Sequence, residues 1–120
     1  MSKYRRDRIN DAMAQELAII MRDVKDARVN EAIVSVTRVD VTPDLKVAKV
    51  YYSNMLGDPK EVQKGLESAA GYIRRRVAEG LNLRITPEFS FSYDGSVEHG
   101  AHIAKLLNDI ARDSNKNEED

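Results

Sequence analysis

The strongest constraint on the fold lies in residues 32–53, where two runs rich in β-branched residues, AIVSVTRVDV and LKVAKVYYS, are separated by Thr42, Pro43 and Asp44. Alternation of apolar and polar residues sends successive side chains to opposite faces of a strand. The Thr-Pro-Asp interruption carries turn chemistry, so the two runs are expected to pair as antiparallel strands. The apolar phase slips by one near Thr37 and Arg38, which predicts a β-bulge or a strong local twist there.

The flanking segments change period. Ile9, Met13, Leu17, Ile20, Met21 and Val24 recur at spacings of three and four, predicting a helix from about Arg5 to Val24. A second helix is announced by GDPKE, with Asp58 suited to the N-cap, Pro59 to the first helical position and Glu61 to the electropositive first turn. Its stripe runs Val62, Leu66, Ala69 or Ala70, Ile73, Val77 and Leu81. Those steps exceed 3.6, so a break midway is expected to keep the stripe on the core. Gly80 fits a left-handed position after the helix end. EFSFSY (88–93) alternates as a third strand, and a turn at Asp94 and Gly95 leads to Ser96 as N-cap of a last helix bearing Ile103, Leu106, Leu107 and Ile110. The expected order is αββααβα, an α+β domain with helices covering one face of a three-stranded sheet.

With 120 residues and 42% hydrophobic content the chain suits one domain, 1–112. Residues 113–120 (DSNKNEED) form an acidic tail expected to be disordered. No apolar run approaches the roughly 20 residues that cross a bilayer, and MSKYRRDRIN has no secretory core, so a soluble, intracellular protein is expected. Absence of cysteine excludes disulfides, thiol nucleophiles and thiolate metal sites. Phosphate-binding glycine loops, zinc patterns and hydrolase elbows are also missing. His99 and His102 form only a weak metal signal, and a turn plus helix start accounts for Asp94, Ser96 and Glu98. The expectation is a chain without catalysis, cofactor or metal.

The net charge of -1 conceals segregation. Lys3, Arg5, Arg6 and Arg8 face only Asp7 within residues 1–8, and Arg74, Arg75, Arg76 and Arg84 face only Glu79 within 72–84. Around the second group the sequence is SAAGYIRRRV (68–77), four small residues followed by three arginines. Glycine in a helix interior costs about 1 kcal/mol relative to alanine, so Gly71 is expected to be where the helix yields. Arginines restarting a helix at Tyr72 would oppose its positive pole, and an anion would reverse that penalty. With Ile73 and Val77 inward, Arg75 points away from the core and Arg74 and Arg76 flank it, a guanidinium face able to grip phosphate. The blander account is close packing for Ser68 to Gly71 and a solvated surface for the arginines. Tyr72 is a candidate for base stacking and Lys46 and Lys49 are weaker phosphate contacts.

The chain resembles the ribosome-binding factor A family over residues 5 to about 110. The likeness rests on EL (16–17) and DARV (26–29), TPDLKVAKVYYS (42–53), AAGYIRRRVAEGLNLRITPEFSFSYD (69–94), and the spacing of Asp94, Ser96, Glu98 and Gly100 before Leu106-Leu107. It implies a K-homology-like domain of the second topological type, in which helices meet at a kink around Ala69-Ala70-Gly71 in place of the Gly-X-X-Gly loop. Ala27 stands where the family commonly has proline. It further implies a bacterial, cytoplasmic, monomeric factor that binds the free small (30S) subunit through 16S rRNA. Its role would be in late maturation and pre-16S rRNA processing, with cold adaptation and a maturation GTPase as a further partner. Docking by phosphate and sugar contacts to about five phosphates predicts that log affinity falls with log salt at a slope of about -4. The rival reading is a protein-interaction module, using the sheet edge or the acidic tail, without direct RNA contact.

Overall fold

In the computed structural model, residues 3–95 are described. The last helix expected from Ser96, the acidic tail and both histidines lie outside the described residues. The first stripe forms α1 (Lys3–Asp23), burying Met13, Leu17, Ile20 and Met21. Asp26 then accepts a hydrogen bond from Arg28 N at 3.0 Å and caps the short helix α2 (Ala27–Asn30). One helical turn is too short to write a period, so α2 is not legible as a helix. Ala27 occupies its first position, where proline would fit without loss of a hydrogen bond.

Strands β1 (Val34–Val41) and β2 (Val47–Asn54) pair antiparallel. Val36 faces Tyr52 and Arg38 faces Tyr51, leaving Thr37 as the extra residue of a bulge at the expected place. Asp44 Oδ1 accepts from Lys46 N at 3.0 Å and from the Thr42 hydroxyl at 2.7 Å, closing the turn. These two bonds hold the Asp44 carboxyl below its usual range, the hydroxyl contributing most.

Helix α3 (Pro59–Gly80) starts as read, with Asp58 accepting from Lys60 N at 2.9 Å. It then runs unbroken through Gly71 to Gly80, where two helices were expected. Val62, Leu66, Ile73 and Val77 are all buried on this single helix. The drift of their spacing stays within an apolar stripe of about 100°, so no break is required to keep them on the core. Gly71 is exposed, and a Cβ there would meet nothing within 4 Å, so the helix simply carries it. The close crossing is at Gly65, where a Cβ would come 2.8 Å from Val29 Cγ2 and 3.0 Å from Arg28 Cβ. Gly80 is not left-handed. It ends the helix where the Glu16 carboxylate of α1 comes so close that a Cβ would collide with it. Leu81, extended, stops the helix by donating its N–H to Val77 O at 2.8 Å.

Strand β3 (Glu88–Tyr93) lies parallel to β2, giving the order β1-β2-β3 and making α3 the crossover. The described order is therefore ααββαβ. Val39, Val41, Ala48, Val50, Tyr52 and Phe91 turn toward the helices and are buried. α1 packs on β1 and α3 on β3, so the helices cover one face. Tyr52 is fully buried and donates its hydroxyl to Gln63 Oε1 at 2.6 Å, while Gln63 Nε2 donates to Phe91 O at 2.9 Å. One glutamine thus ties α3 to both β2 and β3, satisfying polar groups that would cost energy if left bare.

Candidate nucleic-acid interface

Each arginine of the RRR run takes a different direction, because consecutive helical positions turn by 100°. Arg74 leans toward the 81–87 segment and its Nη2 donates to Thr86 O at 3.0 Å. Arg76 leans toward α1, donating Nη2 to Asp23 Oδ2 at 3.0 Å and Nη1 to the Tyr72 hydroxyl at 2.6 Å. These two partners raise the Arg76 pKa, the tyrosine hydroxyl first and Asp23 next. Arg75, between them, is exposed and lies 5.6 Å from the Tyr72 ring centroid. Arg76 is also 5.7 Å from that centroid. The tyrosine is thus half-buried and engaged by the cations three and four residues along the helix.

The amino-terminal group forms a second cluster. Lys3, Arg5 and Arg8 are exposed and Arg6 is half-buried. No acidic residue occupies the first turn of α1, so these cations gather at its positive pole. Arg8 lies 6.0 Å from the Tyr4 ring centroid. Arg5 and Arg8 line a groove of ≈ 350 Å³ with Ile9, Ala12, Leu81, Asn82 and Leu83. This places the start of α1 beside the end of α3, whose following segment carries exposed Arg84. Arg76 instead meets the far end of α1 at Asp23. From Arg8 to Asp23 the axis advances about 22 Å. The helical layer therefore carries two cationic groups, not one patch gathered at a bend. The arginines of α3 sit well past its first turn, so the dipole penalty read from a restart at Tyr72 does not apply to them.

Lys49 and Lys46 are exposed on and beside β2. Lys49 alternates with buried Ala48 and Val50, so it projects from the sheet face away from the helices. It does not join the arginines. Beside it lie two residues that sequence reasoning passed over, Tyr51 and Arg38, with the guanidinium carbon 4.2 Å from the ring centroid. The signal was available: alternation assigns Lys49 and Tyr51 to one face, and the bulge brings Arg38 to the same face. Asp23, which engages Arg76, was also missed, because nothing in sequence spacing announces a contact between distant helix turns.

These features define a small α+β domain whose helical layer is rich in arginine. The family model for ribosome-binding factor A matches residues 5–107. Ribosome-binding factor A of Clostridium tetani is 47% identical over 114 residues, covering 92% of this chain and 93% of that protein. That of Clostridium botulinum strain Okra is 46% identical, covering 98% and 100%. The solution structure of a Thermotoga maritima protein described as a putative ribosome binding factor A superposes with a TM-score of 0.66 at 28% identity, covering 77% of this chain and 89% of that one. A homology model of Thermus thermophilus ribosome binding factor A, as fitted into a cryo-electron microscopy map of a complex of 30S with ribosome binding factor A, has the same fold, with TM-score 0.61 at 18% identity, covering 72% and 91%. The chain belongs to the ribosome-binding factor A family.

Proposed function

We propose that this chain is a non-catalytic ribosome biogenesis factor of the cytoplasm that binds the immature 30S subunit through 16S rRNA and assists its late maturation, including pre-16S rRNA processing. Family membership supports the partner class, and a homology model of a Thermus thermophilus relative has been fitted into a map of a complex of 30S with ribosome binding factor A. The observation that carries RNA docking is the cationic chemistry of the helical layer: Arg75 outward, Arg74 and Arg76 on its flanks, Lys3, Arg5, Arg6 and Arg8 at the start of α1, and exposed Arg84 in the segment after α3. Guanidinium forks bind phosphate bidentately, and separated groups suit the shape of a folded RNA better than a single strand. The K-homology-like topology, action as a monomer, a maturation GTPase as partner and a role in the cold belong to the same proposal.

A second reading is favoured by one observation. Met55 is 77% exposed and Leu56 57%, and Met55 N donates to Ala32 O at 3.0 Å, which sets both beside exposed Ile33. Such a patch fits a protein partner. Titrating the affinity for purified 30S subunits with salt separates the two. RNA docking gives a steep slope that shrinks when Arg74 and Arg75 are both replaced by glutamine. A flat dependence, with binding abolished instead in Met55→Ser and Leu56→Ser, refutes it.

A further inference from the structure

The helices cover one face of the sheet. On the other, at its centre, stands Tyr51 of the middle strand, half-buried, with Arg38 across the β1 pairing and Ser92 across the β3 pairing. The Arg38 guanidinium carbon lies 4.2 Å from the ring centroid and Lys49 Nζ 5.3 Å. Among the described residues neither cation forms a salt bridge, although Asp40 pairs with Lys49 in the ladder. Both cations turn instead to the ring. The surrounding positions are short: Ser35, Ser53, Ser90 and Ser92 leave the tyrosine and guanidinium standing above the sheet.

We propose that this open face binds an unpaired RNA base, stacked on the outer plane of Arg38, with the adjoining phosphate held by Lys49. This rests on the reading that the chain docks on rRNA, and adds a site on the side opposite the helical arginines. The Arg38 guanidinium carbon sits 4.2 Å from the Tyr51 ring centroid, so ring and guanidinium already form one cluster before a base arrives, and guanidinium planes and aromatic rings are the common platforms for unstacked bases. The same two cations hold the Tyr51 phenol below its usual range, Arg38 contributing most. The charge around the platform decides what kind of RNA fits. Asp40, Glu88 and Asp94 share this face, and Asp94 is engaged by the Thr37 hydroxyl at 2.8 Å. A duplex, presenting many phosphates, is disfavoured there. A single flipped or looped base with one or two phosphates is admitted between Arg38 and Lys49.

Binding of the full chain to a short, labelled single-stranded RNA tests this by fluorescence anisotropy. The expected salt slope is shallow, about -0.7 to -1.4 for one or two phosphates on a single strand. Tyr51→Ala and Arg38→Ala each weaken binding about 10-fold without steepening that slope. Tyr51→Phe retains the ring and stays near wild type, which guards against a misfolded alanine variant. Arg38→Lys keeps charge but not the plane and does not restore affinity. Wild-type affinity in Tyr51→Ala, or full rescue by Arg38→Lys, overturns the platform. A photoreactive phenylalanine analogue at position 51, irradiated in the 30S complex, should attach to rRNA; attachment to a ribosomal protein overturns the RNA assignment of this face. If wild-type protein binds no 30S subunits at all, the proposed function fails. If it binds them while the oligonucleotide is indifferent to Tyr51, only the platform fails.

Discussion

Two glycines on α3 face opposite situations. Gly65 is buried where α2 crosses, and the added methyl of Gly65→Ala would press on Val29 and on the Arg28 Cβ, one of which must move. The cost expected is about 1–3 kcal/mol, measured by urea unfolding. Gly71→Ala meets open space in a helix interior and should stabilise by about 0.5–1 kcal/mol. An equal loss at both sites would contradict the unbroken helix. Sequence could locate both glycines but not rank them. Composition marks Gly71 because it stands before three arginines, whereas the demand at Gly65 comes from Val29 on another helix, far away along the chain. Likewise Ala69 and Ala70 do pack against the core, so the small-residue segment is partly a packing feature and partly a tolerated glycine.

At the scale of elements, the cap of α2 and the contact between α1 and α3 each carry a charge pair. Asp26 accepts from Arg28 N and from its guanidinium, at 2.8 Å for the Nη2 contact, and these bonds lower its pKa, the side-chain bond most. A carboxyl with a folded pKa below its unfolded value stabilises above the unfolded pKa, about 4, and that contribution disappears as pH falls through the folded value. Asp26→Asn keeps an acceptor at the cap but removes the titration. The stability gap between wild type and this variant should therefore narrow as urea unfolding is followed from about pH 6 down to pH 2. A gap that widens in acid would assign the stabilisation elsewhere. On α1, Asp23 competes with any phosphate for Arg76. Asp23→Asn should raise affinity for 30S subunits about 2–5-fold, the worth of an exposed ion pair. Unchanged affinity would remove Arg76 from the interface. Strand pairing was legible down to the bulge, since period-two alternation records its own slip at Thr37. The pairing of Asp23 with Arg76 was not, because helix packing angles leave no trace in spacing.

For the whole molecule, the question is whether two cationic groups on one helical layer act as one interface. The start of α1 and the RRR segment are separated by about 20 Å of helix, so charge removal at each should act independently. Replacing Lys3 and Arg8 with glutamine should lower the magnitude of the salt slope for 30S binding by about 0.8 for each phosphate no longer neutralised. Replacing Arg74 and Arg75 should do the same, and the four-fold variant should show the sum. The first pair also carries a signature of its own. Lys3, in the first turn of α1, opposes its dipole, so its removal should stabilise the fold by a few tenths of a kcal/mol while weakening binding. Opposite signs for stability and affinity are what a polyanion-binding role demands of side chains placed at an unfavourable helix pole. Greater stability with undiminished affinity would mean that these residues only keep the surface solvated, and the interface would then shrink to the arginines of α3.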